Sequence, residues 1–241
     1  MNNRLPFENF KSSYADAWKQ ELFLSKYPPN ETYDWVDTDT PENASNQDEI
    51  TYQFNEHGFR SDSFNQRTDF NILTSGCSLT VGIGVKYENT WTQQLKTHFN
   101  QPTTVWNLAQ SSTSPDYVVR SIYKTIDILK PNLVAVCWPA ESRIELPKDK
   151  HWLTDYQLDT AEYPKLLENP NWAYHNFQKN IILLKQICLV RNIPLVHGPG
   201  EYTDFGINPD TTARDGSHPG DKWHKEYAEL VFQQYNDKYY C

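Results

Sequence analysis

The 241-residue chain has four cysteines, Cys77, Cys137, Cys188 and Cys241, and no C-x-x-C pair among them. That spacing offers neither a zinc knuckle nor a dense disulfide framework, so buried free thiols of a reducing compartment are expected. Long apolar runs are missing as well. A membrane span requires ~18 apolar residues, whereas the run from Asn180 is closed by charge at Lys185. Met1–Phe10 lacks the continuous apolar stretch of a signal peptide. There is no cationic surplus: 22 Lys and Arg stand against 31 Asp and Glu, a formal net charge of −9. This balance argues against a general binder of nucleic acid or anionic membranes. No G-x-G-x-x-G, P-loop, internal repeat or low-complexity tract is present. His57, His98, His151, His175, His197 and His224 have no metal-ligand spacing with Cys or carboxylates, so neither a metal nor a cofactor is expected. These absences point to a soluble protein of a cytoplasm or of a particle such as a virion.

Aromatic residues, in contrast, make up 14% of the chain and hydrophobic residues 38%, which a disordered chain would lack. The length suits one sizeable α/β domain. Residues 1–68 read as an irregular, aromatic-rich extension packed on a main domain of residues 69–241. Within the extension, Tyr14, Trp18 and Leu22 predict a helix over Ser12–Lys26 that ends at Tyr27-Pro28-Pro29. Residues 30–49 are polar and acidic without a period. Ile50–Phe54 alternates like a strand, and Asn55-Glu56-His57-Gly58 signals a turn.

From Phe70 onward strands alternate with helices. Strands are predicted at Asn71–Thr74, Thr104–Leu108, Leu133–Trp138 and Ile193–His197, and helices at Asn89–Phe99, from Ser114-Pro115 to Leu129, Trp172–Arg191 and Asp221–Tyr235. Ser114 followed by a proline is a helix cap and first turn. The unbroken apolar run of Leu133–Trp138 fits a parallel strand buried on both faces. The expected fold is α/β, a three-layer α/β/α parallel sheet with the irregular extension added. Ligands of such sheets bind beyond the carboxyl ends of the strands.

After the first strand of that series comes Gly76-Cys77-Ser78-Leu79-Thr80-Val81-Gly82-Ile83-Gly84-Val85. A serine there can present its hydroxyl at the sheet edge beside free backbone N–H groups. An ordinary Ser/Gly turn reads equally well, and Thr80 excludes the G-x-S-x-G elbow. Ahead of the last helix stands Asp215-Gly216-Ser217-His218-Pro219. A carboxylate three residues before a histidine can orient the imidazole as a base, although a capping turn has the same composition.

Together these two blocks resemble the first and last blocks of the SGNH (GDSL-type) hydrolases, the last being D-x-x-H-P, and the resemblance spans roughly residues 70–235. It implies a flavodoxin-like fold and an esterase, lipase, thioesterase or carbohydrate deacetylase. Ser78 would be the nucleophile, His218 the general base and Asp215 its orienting partner. The family's aspartate before the serine is Cys77 here, and a Cys77 nucleophile is the minor alternative. The family's second block, asparagine followed by glycines, falls on Asn107-Leu108-Ala109-Gln110-Ser111-Ser112. Its oxyanion glycine becomes Ser112, whose N–H would join that of Ser78. Its G-x-N-D block falls on Trp138-Pro139-Ala140-Glu141-Ser142-Arg143, with Glu141 near the asparagine position and Arg143 available to compensate.

Arg60, Asn107, Trp138, Glu141 and Arg143 are therefore candidate substrate-binding residues. The segment 144–171, with Trp152, Tyr156 and Tyr163, is a candidate lid. The expected function is serine hydrolysis of an ester or acetyl group on a carbohydrate or small acyl ester, through an acyl-enzyme. The alternative is a binding or structural module, glycan-binding among the options, that keeps the fold without efficient catalysis. Glu141 and the absent glycine motivate it. The oligomeric state stays open.

Overall fold

The computed structural model describes residues 29–30, 32–35, 44, 50–148, 151–154, 170–199 and 212–239. The helix expected over residues 12–26, Tyr156, Tyr163 and Cys241 lie outside the described residues. The chain runs β1 (Thr32–Trp35), β2 (Ile50–Gln53), β3 (Phe70–Ser75), α1 (Ser78–Val81), a 3₁₀ turn at Tyr87–Asn89, α2 (Trp91–Lys96) and β4 (Thr103–Asn107). It continues through α3 (Pro115–Leu129), β5 (Leu133–Trp138), β6 (Glu145–Lys148), β7 (His151–Thr154), α4 (Pro170–Leu189), β8 (Leu195–Pro199) and α5 (Asp221–Tyr239).

Four strands form the central sheet in the order β4-β3-β5-β8, every pair parallel. Neighbouring residues of a strand point to opposite faces. Leu73, Val134, Val136, Trp138 and Leu195 accordingly join one core with Val118, Ile122 and Leu184 of α3 and α4. Ile72, Val105, Leu133, Ala135, Cys137 and Val196 join the other with Leu95 of α2 and Trp223, Tyr227 and Val231 of α5. The α/β/α layering thus follows from strands that are apolar at both parities. Among the described residues no helix is long and apolar enough to cross a membrane.

Two elements were not legible in the sequence. Thr32–Trp35, inside the aperiodic segment, pairs antiparallel with β2 from Thr32↔Gln53 to Trp35↔Ile50. Part of the expected lid is an antiparallel β6–β7 hairpin, Glu145↔Thr154 to Lys148↔His151. The hairpin is tied down by the Arg120 guanidinium, which donates to Glu145 from Nε at 2.9 Å and from Nη2 at 2.6 Å.

The segment between β2 and β3 closes the open edge of β4. Ser61 Oγ accepts from Asn107 N at 2.8 Å, and Asp62 Oδ2 accepts from Val105 N at 3.0 Å. Side chains thereby occupy amides that would otherwise offer a docking edge to another strand. Phe59 and Phe64 of the same segment lie in the core with Leu73 and Trp106.

Thr90, at the N-cap of α2, caps none of the helix amides with its side chain. Instead His224, 1% exposed, accepts the Trp91 amide on Nδ1 at 3.1 Å. That bond requires a neutral ring, and burial pushes its pKa down to about 3. Burial, followed by Lys185 and Lys238, likewise pushes His197 down to about 4. The unfolded chain takes up both protons near pH 6.5, whereas the folded one resists until far lower pH. Their stabilisation is therefore complete above pH ~6.5 and is lost as pH falls, by up to ~1.4 kcal/mol per pH unit for each ring. Urea midpoints measured from pH 7 to pH 5 should fall steadily, and His224→Asn should remove about half of that slope.

Candidate active site

Ser78 opens the short helix α1 directly beyond β3, and Cys77 precedes it with φ −106° and ψ −149°. The first amides of a helix have no carbonyl to meet within it, so the N–H of Ser78 has no partner inside α1. Cys77 is buried, while Ser78 is half-buried. Ser78 Oγ donates to Cys77 Sγ at 3.9 Å, and among the described residues it makes no hydrogen bond with His218. Cys137, on the adjacent strand, is wholly buried; burial pushes its thiol up to about 12 and keeps it protonated.

Asp215 and His218 meet within one turn. Asp215 Oδ1 accepts the amides of Ser217 at 3.1 Å and His218 at 3.0 Å, and Oδ2 pairs with His218 Nδ1. Burial pushes the Asp215 carboxyl up, but the bonds from the His218 ring and amide, the charge of His218 and the Ser217 amide outweigh it, and the net shift is downward. An ionised carboxylate can only accept, so Nδ1 donates, and in the neutral ring Nε2 then carries the lone pair. This is the tautomer a general base needs.

The loop after α1 touches the loop that holds Asp215. Arg214 N donates to Gly84 O at 3.0 Å. The loop after β4 is joined to the serine block as well: Thr113 Oγ1 donates to Gly76 O at 3.0 Å, and Arg143 Nη1 reaches Thr113 O at 3.5 Å. The carboxyl ends of β3, β4 and β5 and the Asp215 turn are thus one connected assembly. Among the described residues no group of three or more His, Cys, Asp or Glu could hold a metal ion.

Ser112 lies at the head of α3 with φ +55°. This left-handed conformation is the one that favours glycine, and it costs other residues ~1–2 kcal/mol. The backbone therefore takes a glycine-like path without the glycine. Ser112→Gly is expected to raise stability by about 1 kcal/mol, read as a higher urea midpoint at unchanged m.

Three of the proposed binding residues are placed differently. Asn107 is buried, and its amide donates to Thr80 O at 2.8 Å and Arg60 O at 3.3 Å while its oxygen accepts from Ala109 N at 3.0 Å. Trp138 continues the inward parity of Val134 and Val136; its ring packs edge-on to Phe177, and its Nε1 donates to His197 Nδ1 at 3.1 Å. Arg60 is 2% exposed, with its guanidinium bound to backbone carbonyls. Asn107 and Trp138 hold the scaffold through side-chain polar atoms engaged inside the protein, and Arg60 does so through Nη1 and Nη2. Glu141 is exposed and Arg143 half-buried at the rim after β5.

No family model matches the chain, and no curated protein sequence does. The solved structures it resembles include esterases and a putative lipolytic protein. A psychrotrophic esterase from Pseudoalteromonas sp. is 15% identical, with 71% of this chain and 98% of that one covered at a TM-score of 0.40. A putative lipolytic protein of the G-D-S-L family from Desulfitobacterium hafniense is 16% identical, with 68% and 99% covered at 0.34. A family 3 carbohydrate esterase from Clostridium thermocellum is 12% identical, with 70% and 95% covered at 0.37. Identities and scores of this size leave the fold and the site resting on this chain's own sheet order and side chains.

Proposed function

We propose that this protein is a serine hydrolase of the SGNH type, cleaving an ester or acetyl group of a carbohydrate or small acyl ester. The observation that carries the reading is the Asp215–His218 pair, held in the base tautomer on a turn bonded to the loop that follows Ser78. His218 Nε2 takes the Ser78 proton, and the alkoxide attacks the carbonyl. The N–H groups of Ser78 and Ser112 then receive the developing negative oxygen. Collapse of the tetrahedral species expels the alcohol, protonated by His218, and water activated by the same ring releases the acid. Asp215 holds the ring throughout and offsets its positive charge. Forming the Ser78–His218 link requires the serine hydroxyl to leave Cys77 Sγ. Unliganded catalytic hydrogen bonds are often looser than those of the substrate complex.

A second reading draws on the Ser78–Cys77 bond and on the exposed carboxylate of Glu141, where the resemblance has a donor: a binding module of the same fold. A fluorophosphonate probe separates the two. The hydrolase gains one phosphonyl mass on the peptide containing Ser78, and Ser78→Ala gains none. A folded parent protein without the adduct would refute hydrolysis and leave the module.

A further inference from the structure

The N-terminal segment reaches the candidate site through two side chains. Arg60, 2% exposed, meets no carboxylate at ion-pair distance among the described residues. Its charge is met by three backbone carbonyls: Nη1 donates to Val81 O at 3.1 Å and Gly82 O at 2.5 Å, and Nη2 donates to Val85 O at 2.8 Å. The guanidinium also lies 4.3 Å from the ring centroid of Tyr52 and 5.8 Å from that of Tyr87. The Tyr52 hydroxyl, in turn, accepts from Gly84 N at 2.7 Å.

All four contacts fall on the turn leaving α1, the helix Ser78 begins. A buried cation is a poor device for stability alone, because apolar side chains of similar volume usually do as well or better. A planar fork bound to three carbonyls does something else, since it fixes the path of the chain that supplies them. Residues next to Arg60 are fixed too, as Ser61 and Asp62 are stitched to β4. On the far side, Gly84 O accepts from Arg214 N, the residue before Asp215. A single residue, Gly84, therefore links the Arg60–Tyr52 clamp to the acid–base turn.

We propose that Arg60 and Tyr52 are positioning residues that hold the 81–85 backbone against Arg214 and so set the separation of Ser78 and His218. The proposal rests on the serine hydrolase reading for its kinetic consequence but not for the clamp itself. The test uses Arg60→Lys, whose single ammonium cannot span three carbonyls, and Tyr52→Phe, which removes the acceptor for Gly84 N and keeps the ring.

Amide exchange reads the clamp, with Ile72 and Leu73 of β3 as internal reference; fluorophosphonate labelling and ester kinetics read its effect. In Arg60→Lys the Gly84 and Arg214 amides should exchange ~10-fold faster while the β3 amides keep their protection. Labelling and kcat should fall ~10- to 100-fold with KM changed less than about twofold, the pattern of misplacement rather than lost binding. Tyr52→Phe should move every readout in the same direction by ~3- to 10-fold, and it preserves the test if the lysine variant does not fold. Unchanged exchange at Gly84 and Arg214 in a folded variant overturns the clamp. Faster exchange with undiminished labelling overturns the positioning role. A parent protein that takes no label refutes hydrolysis instead, and the exchange measurements still decide whether the clamp exists.

Discussion

Asp215→Asn should hydrolyse p-nitrophenyl acetate ~10⁴-fold more slowly than the parent protein, with little change in thermal stability. The size and selectivity of the effect follow from how the carboxylate is used. Oδ1 takes two backbone amides, Ser217 N and His218 N, and Oδ2 faces the ring. An asparagine must keep its oxygen on the two amides, because an NH2 group placed there would oppose two donors. Its NH2 then points at Nδ1, which becomes an acceptor, and the ring proton moves to Nε2. A ring with its proton on Nε2 cannot take another from Ser78. The turn itself survives, so loss of rate without loss of folding separates this mechanism from simple destabilisation. A variant keeping a tenth of parental turnover would remove Asp215 from the mechanism. Because the folded carboxyl titrates below its ordinary range, its protonation should not limit parental activity above pH ~5.

The sheet was readable because each of its strands places apolar residues at both parities, most fully in Leu133–Trp138, and its helices carry apolar stripes. Leu184 and Cys188 on α4, and Trp223, Tyr227 and Val231 on α5, lie buried as that periodicity predicts. α5 extends beyond the expected Tyr235 to Tyr239, whose hydroxyl accepts from Leu195 N at 3.0 Å and donates to Leu195 O at 3.2 Å. That contact is long-range, and nothing in the local pattern announces it. The D-x-x-H spacing indicated a carboxylate–imidazole pair because three residues of one turn suffice to build it. Arg60 was legible only as a candidate substrate contact. Its partners are carbonyls, which every residue has, so no spacing could mark them. Asn107 misleads for a related reason: a polar residue at a strand end reads as a ligand contact, but here backbone groups of neighbouring segments engage it from both sides. Tyr52 looked like one more inward-facing strand aromatic, and its hydroxyl bond to Gly84 depends on a loop 32 residues away.

Gly84→Ala should cost both stability and rate, because this residue stands where the serine block meets the acid–base turn. Its φ is +73°, so any side chain there pays ~1–2 kcal/mol before packing is considered. A Cβ would lie 2.7 Å from Ala213 Cβ, 3.0 Å from Arg214 N and 3.1 Å from Asp215 N. Two of those three atoms are backbone, and the third is anchored to it, so rotamer changes cannot relieve the contact. The Asp215 turn must retreat from the serine block, weakening the bond from Arg214 N to Gly84 O. Overpacking of this kind costs ~1–3 kcal/mol, giving a combined loss of about 2–4 kcal/mol in urea unfolding. A displacement approaching 1 Å between base and nucleophile should lower kcat by ~10²-fold. The two losses can be told apart, since activity measured well below the unfolding transition reports displacement alone. Normal turnover from a folded Gly84→Ala protein would mean that this contact does not govern the approach of His218 to Ser78.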